Sequence, residues 1–223
     1  MLIQLDFSAV LSSWPLLVRG LAWTIGLTIV GTVLGLLLGT ACAWARARNL
    51  GPRAAPLRWA VAAYVELVRN TPFIVQLFFL FFGLPALGLK LSPEVASVLA
   101  MVINLGAYSA EIIRAGIEAT PRGQIEAAQS LALTPGQTFR RVVLPPALLK
   151  VWPAMVSQII VMLGSAVCGQ ISTPELSYAA NLISSNTFRA FEAFILATLV
   201  YLVLSMLTRR LLMWVGARFL VGR

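Results

Sequence analysis

Polar and ionisable side chains interrupt two apolar stretches of this 223-residue sequence, and they are the residues best suited to chemistry. A glutamate precedes an arginine by three positions in each stretch, so each pair can meet on one helix face. Charged groups at membrane depth are costly and usually face a partner or a wet cavity. The groups predict a polar pathway wall or a subunit interface; the alternative is a solvated ion pair at a membrane boundary. Their members are Glu66, Arg69, Asn70, Thr71, Pro72 and Gln76, then Asn104, Tyr108, Glu111 and Arg114.

Residue types that catalyse reactions or bind metals are scarce. The chain has no histidine, and Cys42 and Cys168 lie in apolar runs without metal-ligand spacing. A phosphate-binding loop needs Gly-x4-Gly-Lys-Ser/Thr, but Lys90 and Lys150 each follow a leucine. We therefore predict no catalytic residue, cofactor site or metal site on this chain.

The composition predicts a membrane protein. Hydrophobic residues make up 59% and charged residues 11% of the chain, whereas a soluble domain carries about 25% charged residues. The net charge of +9 could suggest nucleic acid, but Lys and Arg at the cytoplasmic ends of membrane spans explain it better. We expect an all-α, polytopic fold in contact with membrane lipid, and no nucleic-acid partner.

Five apolar segments are long enough to cross a bilayer, which takes about 20 residues per helix. Pro72 lies inside the second, where it removes a backbone donor and favours a kink. In the first, Gly31, Gly35 and Gly39 form a stripe that lets another helix approach closely. The segments run approximately over residues 21–45, 59–82, 95–116, 151–171 and 193–208.

The basic residues predict the orientation of these five transmembrane helices. Most of the 17 lysines and arginines lie between spans one and two, between spans three and four, or after span five. This asymmetry places the N-terminus outside and the C-terminus in the cytoplasm. We expect one transmembrane domain over residues 1–223, with a cytoplasmic loop at residues 118–150. Because the outer loops are short, high-affinity solute capture would need another polypeptide.

The cytoplasmic loop has its own pattern, a short helix with paired alanines in Glu126-Ala127-Ala128, followed later by Leu144-Pro145. Small side chains would let this helix dock against another protein. The pattern resembles the EAA loop of permease subunits of bacterial ABC importers. Residues 66–77 and 107–118 are similar to the polar amino acid branch of that family, the histidine, glutamine, arginine and glutamate type. The resemblance extends from about Leu17 to Arg210.

The resemblance implies a type I ABC importer permease fold in the bacterial inner membrane. Two such subunits, two copies of one chain or sister chains, form the pathway in that family. An ATP-binding subunit dimer docks at the cytoplasmic face, and an external binding protein delivers the amino acid. ATP and Mg would lie on the partner ATPase, so this chain would be a transport subunit and not an enzyme. The resemblance assigns ATPase coupling to Glu126, Ala127, Ala128, Ala132, Leu144 and Pro145.

The sequence departs from the family pattern at two places. Family members usually have glycine where this chain has Ala132. If that position is left-handed, alanine costs about 1 kcal/mol or more; the loop would then bend at Gly136 instead, or coupling to the ATPase would be weaker. Many relatives carry a Lys-Asp pair in span four, which is absent from residues 163–167 here. Ser165, Gln170 and Glu175 remain as polar candidates for the pathway.

Two other classes of function compete with this interpretation. An autonomous channel or ion-coupled carrier would explain Glu66 and Glu111, but it gives the EAA-like loop no role. Many carriers are also built from duplicated halves, and this chain has no internal repeat. A membrane-embedded enzyme would need a nucleophile with a base or a metal constellation, and the sequence offers neither.

Overall fold

The computed structural model describes residues 5–46, 55–164 and 167–221, and within these ranges it contains helices and turns without a β-strand. The expected all-α fold is confirmed. The helices are α1 (Ser8–Ser12), α2 (Trp14–Arg46), α3 (Ala55–Arg69), α4 (Phe73–Phe78), α5 (Pro93–Glu118), α6 (Arg122–Ser130), α7 (Pro135–Thr138), α8 (Leu144–Leu163), α9 (Leu176–Thr187) and α10 (Ala190–Gly216). Shorter segments are π-helical at Phe79–Gly83, Phe139–Val143 and Ala217–Val221, and 3₁₀-helical at Leu84–Leu87 and Cys168–Ile171.

Within the described residues, four stretches are long and apolar enough to cross a bilayer: Trp14–Arg46, Pro93–Glu118, Pro135–Ile171 and Ala190–Leu220. The third includes residues 165–166, which lie outside the described ranges. The fifth predicted span is present only as a bent pair, Ala55–Arg69 and Phe73–Leu87, with 111° between its parts. We expected a kinked but continuous helix there. The helix instead ends at Arg69, and Pro72 has an extended backbone (φ −61°, ψ 141°) that starts α4.

Prolines also explain where the helical hydrogen bonding loosens. Pro145 and Pro146 lack the amide N–H that a regular helix would donate to residues 141 and 142. The π-helical segment Phe139–Val143 lies directly before them, where an added residue per turn accommodates the missing donors. The helical run that contains span four begins at Pro135, well before the predicted start at Val151.

The chain divides into two compact units. The first consists of Met1–Val33, Thr71–Met101 and Ile160–Thr208. Its core joins Val10 to Ile183 and Ala193, all at most 1% exposed. A hydroxyl network crosses the same unit: Ser97 and Thr173 share a 2.7 Å hydrogen bond, and the Thr173 hydroxyl donates to the Pro93 carbonyl at 3.1 Å.

The second unit consists of Leu34–Asn70, Val102–Ile159 and Arg209–Arg223. Its core brings together Cys42, Val65, Val68, Ala107 and Ala110, from α2, α3 and α5. The predicted glycine stripe packs closely here, because a Cβ at Gly39 would lie 2.5 Å from the Cβ of Ser109. The close approach of another helix to Gly39 is therefore confirmed, and the neighbour is α5.

Candidate functional site

The EAA-like segment forms a short helix, α6, that shows two different faces. It packs against α7 and the π-helical segment Phe139–Val143. Ala128 is covered by its own chain and is 3% exposed, whereas Glu126 and Ala127 are exposed. The paired alanines therefore have separate roles, since Ala128 anchors α6 to its own chain and Ala127 lies at the surface.

The end of α6 is a Schellman turn centred on Ala132. The Leu133 amide donates to the Ala128 carbonyl at 3.1 Å, and the Ala132 amide donates to the Gln129 carbonyl at 2.9 Å. Such a turn needs a left-handed residue, usually glycine, and Ala132 occupies it with φ 56°. The left-handed conformation that we considered for this position is confirmed, whereas the alternative bend at Gly136 is wrong because Gly136 lies inside α7.

A capping box restarts the helix beyond this turn. The Thr134 hydroxyl accepts a hydrogen bond from the Gln137 amide at 3.3 Å, and the Thr134 amide donates to Oε1 of Gln137 at 2.9 Å. Leu144 and Pro145 open α8 directly after the π-helical segment that supports α6. The predicted coupling residues thus lie on α6, in the turn that follows it and at the start of α8.

An apolar side chain stands out beside this helix. Leu131, the last residue before the left-handed turn, is 76% exposed. Phe139, in the segment that supports α6, is 43% exposed. Glu126 and Ala127 on α6 itself are exposed as well. We call Glu126, Ala127, Leu131 and Phe139 the α6 surface.

Glu111 is the centre of the second cluster of polar residues. Its carboxylate accepts from Arg114 at 2.5 and 3.0 Å, which confirms the predicted pair. It also lies 3.4 Å from Arg46 and 3.8 Å from Arg69, and its side chain is 21% exposed. Arg114 extends the network to Glu118. One carboxylate on α5 therefore holds guanidinium groups from α2, α3 and its own helix.

The predicted pair of Glu66 with Arg69 is wrong. Arg69 turns to Glu111 instead, and its guanidinium lies 5.8 Å from the centre of the Tyr108 ring, a cation–π distance. The Tyr108 hydroxyl donates to the Arg69 carbonyl at 3.4 Å. The Glu66 carboxylate accepts from the Asn70 side chain at 3.0 Å. The last residue of α3 is therefore fixed through both its side chain and its backbone by α5.

The other polar residues of span two lie just past the break. The Gln76 side-chain amide donates to the Thr71 carbonyl at 3.0 Å and to its hydroxyl at 2.9 Å. Pro72 lies between them as the N-cap of α4. These bonds fold the start of α4 back on the residue before the proline. Asn104, by contrast, is buried in α5 at 4% exposure.

Glu175 has a structural role that the sequence interpretation missed. It is 3% exposed and caps the N-terminus of α9 by accepting from the Ser177 and Tyr178 amides at 2.9 and 3.2 Å. The Tyr201 hydroxyl donates to the same carboxylate at 2.5 Å. Those donors from its own chain satisfy Glu175. Gln170 lies exposed on the 3₁₀ segment, and Ser165 lies outside the described residues.

Arg46 and Arg189 make further ionic contacts that were also not predicted. Arg46 joins the Glu111 cluster, although a basic residue at the end of an apolar span signals only a membrane boundary. In the first unit, Arg189 pairs with Glu192 at 3.3 Å and with Asp6 at 3.8 Å. The Ser8 hydroxyl donates to Asp6 at 2.6 Å, and this bond lowers the pKa of the Asp6 carboxyl.

Across the described ranges, no group of three or more metal-ligating side chains is placed to hold a metal ion.

Comparison with known families gives a match over most of the chain. Residues 35–221 match the family model described as "Binding-protein-dependent transport system inner membrane component". The chain is 35% identical to the L-cystine transport system permease protein TcyB of Bacillus subtilis over 210 residues, with 90% of this chain and 88% of the relative covered. It is 33% identical to the glutamine transport system permease protein GlnP of Escherichia coli K12, covering 93% of this chain and 96% of the relative.

Solved structures show the same fold. A crystal structure of an amino acid ABC transporter with histidines superposes with a TM-score of 0.89 at 35% identity, covering 97% of this chain and all of that one. An inward-facing structure of the MetNI methionine ABC transporter gives a TM-score of 0.68 at 24% identity, covering 90% of this chain and 96% of that one. The second likeness extends to the fold alone.

Proposed function

The chain belongs to the family of inner-membrane components of binding-protein-dependent transport systems, and on that premise we propose that it forms half of the translocation pathway of an ATP-driven importer for polar amino acids. The named relatives support this substrate class, since they include permeases for L-cystine, arginine and glutamine. The chain would be a multi-pass protein of the bacterial inner membrane, with its N-terminus outside and its C-terminus in the cytoplasm.

The observation that carries the proposal is the two-faced helix α6. One face is anchored to the chain through Ala128, which is 3% exposed. The other face displays Glu126 and Ala127, and Leu131 next to it leaves an apolar side chain 76% exposed. Leu131 and Phe139 leave apolar side chains exposed beside this face, which fits a surface that a protein partner covers. We assign this partner as an ATP-binding subunit.

The remaining partners follow from the family. A second permease subunit, the same chain or a sister chain, would complete the pathway, and a binding protein would deliver the amino acid. ATP and Mg would be bound by the ATP-binding subunits. The Glu111 cluster, the residues around the break in span two and Gln170 are proposed to line the pathway or the permease–permease interface. Asn104 is left out of this proposal because its own chain already covers it. Ser165 is kept in this proposal from the sequence alone.

Family membership favours this function over an autonomous channel or ion-coupled carrier. Such a protein would work without an ATPase, and it would leave the α6 surface without a role. The intramembrane glutamates, which first suggested the alternative, have partners in the structure: Glu66 accepts from Asn70, and Glu111 pairs with three arginines.

The test is a site-specific crosslink on the assembled complex. Ala127→Cys places a thiol on the exposed face of α6, and Ala128→Cys places one in the buried contact. With a short thiol-to-amine crosslinker, Ala127→Cys should capture the ATP-binding subunit that co-purifies with the chain. Ala128→Cys is the matched control and should capture far less, because its side chain is covered by the chain itself.

The Glu126→Lys variant provides a second test of the proposed function. Reversing this exposed charge should weaken co-purification of the ATP-binding subunit or uncouple ATP hydrolysis from uptake of radiolabelled L-glutamine, L-arginine or L-cystine in proteoliposomes. The proposal fails if Ala127→Cys captures only lipid. It also fails if the chain alone transports these amino acids without any ATPase.

A further inference from the structure

Three consecutive residues at the N-terminal part of α8 attach this helix to two others in the second unit. Lys150, Val151 and Trp152 each make a different contact. The Lys150 ammonium donates to the Ala119 carbonyl at 2.9 Å, just past the end of α5, where a cation also suits the helix dipole. We refer to these three residues with their partners on α5 and α10 as the clamp.

Two glycines make the close contacts of the clamp possible. Val151 packs onto Gly116 of α5 so closely that a Cβ there would overlap the valine methyl. A Cβ at Gly216 of α10 would overlap the Trp152 indole in the same way. Both glycines are buried. Each contact therefore depends on a missing side chain, and neither helix can slide along α8 without losing the fit.

A hydrogen bond also fixes the orientation of Trp152 in its contact with α10. The Trp152 indole N–H donates to the Leu212 carbonyl of α10 at 3.0 Å. In a regular helix this carbonyl accepts from residue 216, so the indole shares an acceptor inside the α10 ladder. The absence of a side chain at Gly216 gives the indole access to it. Trp152 therefore fixes both the position and the rotation of α10 against α8.

The clamp lies on the same continuous helical run as the support of α6. α6 packs against the segment Phe139–Val143, which continues into α8 without interruption. From Val143 to Trp152 is about 14 Å at 1.5 Å per residue. A force applied to α6 thus reaches the clamp through one helix, and the clamp is the place where it can pass to α5 and α10.

We propose that the clamp is the transmission point between α6 and the spanning helices, with Trp152 as the positioning residue that carries movement of α6 to α10. This inference rests on the proposed function, because it assumes that a motor subunit moves α6. Trp152 contacts no substrate in this role. Its effect is to make α8 and α10 respond as one body.

The experiment measures hydrogen exchange by mass spectrometry on the purified complex with its ATP-binding subunit, nucleotide-free and trapped with ATP and vanadate. In the wild type, nucleotide should change the exchange of α6 and of residues 209–221 of α10 and its extension. Trp152→Phe keeps an aromatic ring but removes the N–H donor. It should leave the α6 response and reduce the response of residues 209–221 by about five- to tenfold, the effect of losing one partly buried hydrogen bond.

Two controls separate transmission from stability. Trp59→Phe makes the same change on α3 where the indole is 77% exposed, and it should leave both responses unchanged. Gly216→Ala should reduce the response of residues 209–221 more strongly than Trp152→Phe does. If Gly216→Ala prevents assembly of the complex, the result for Trp152→Phe alone tests the inference. A purely structural Trp152 would lower the melting temperature of the complex without altering the response of α10.

The outcomes are distinguishable. Two results would show that the clamp does not transmit movement: a full response of residues 209–221 in Trp152→Phe, or no response of residues 209–221 in the wild type although α6 responds. Either result would refute only this inference. If no ATP-binding subunit co-purifies, or nucleotide leaves α6 unchanged in the wild type, the proposed function fails and this inference fails with it.

Discussion

Replacing Ala132 by glycine should stabilise the α6 turn, although the substitution removes a methyl group and adds backbone freedom. Ala132 has φ 56° and supplies the left-handed residue of the Schellman turn that ends α6. In that conformation the Cβ of an L-residue lies too close to the following carbonyl oxygen, whereas glycine has no Cβ.

The magnitude follows from two opposing terms. Relief of the left-handed strain is worth about 1–2 kcal/mol. The glycine also increases the entropy of the unfolded chain, which costs about 0.4–1 kcal/mol. Because Ala132 is exposed, no burial is lost, and the net gain should be about 0.5–1 kcal/mol.

The assay is hydrogen exchange of α6 in the purified protein, since local opening governs the exchange of the amides in this turn. The amides of Ala132 and Leu133 report directly because they donate the two bonds of the turn. A gain of about 1 kcal/mol slows exchange by about fivefold. Ala127→Gly is the matched control: it lies on the same short helix, is exposed and is regularly helical, so glycine should destabilise α6 by about 1 kcal/mol.

The two substitutions should therefore shift exchange in opposite directions. Faster exchange of residues 128–133 in Ala132→Gly would refute the strain argument, because it would mean that the turn tolerates alanine at no cost. Equal acceleration in both variants would lead to the same conclusion.

Two further predictions concern the helix contacts of the second unit, both measured by thermal unfolding in one detergent. Glu111→Gln should cost about 1–3 kcal/mol, below the value for a fully buried pair, because three arginines lose their shared carboxylate. Glu66→Gln should cost less, because the glutamine side-chain oxygen can still accept from Asn70. Equal losses would contradict the network. Gly39→Ala should cost about 1–3 kcal/mol because its Cβ would lie 2.5 Å from that of Ser109. Gly26→Ala, with no atom within 4 Å, should be neutral or stabilising by up to about 1 kcal/mol; the reverse order would refute the packing.

The sequence predicted the elements well because composition and apolar length decide whether a segment crosses a membrane. It missed the size of the break in span two. Pro72 predicts the loss of a hydrogen bond, and one lost bond permits anything from a slight kink to a full change of direction. The outcome depended on tertiary contacts of Arg69 with Tyr108 and Glu111. It also depended on the local bonds by which Gln76 folds back on Thr71.

The ion pairs also show that spacing along one helix predicts some contacts, whereas contacts between helices cannot be predicted from it. Glu111 and Arg114 are neighbours on one helix, so their spacing predicted the pair correctly. Glu66 and Arg69 have the same spacing, yet Arg69 pairs with Glu111 of another helix. Spacing states which residues can meet, whereas competition among helices decides which do. Glu175 is a related case, because a polar residue after a span suggested a pathway until Tyr201, distant in sequence, was found to bond it.

The glycines show most clearly which helix–helix contacts can be predicted from a sequence pattern and which cannot. The repeat of Gly31, Gly35 and Gly39 marks two helices that run side by side, because successive turns must each leave room, and Gly39 indeed packs on α5. A single crossing needs only one small residue and leaves no repeat. Gly116 and Gly216 are isolated in their helices, yet both make closer contacts than the stripe does. The contacts best placed to carry movement between helices are therefore those that periodicity cannot reveal, and they become visible only when the helices are assembled.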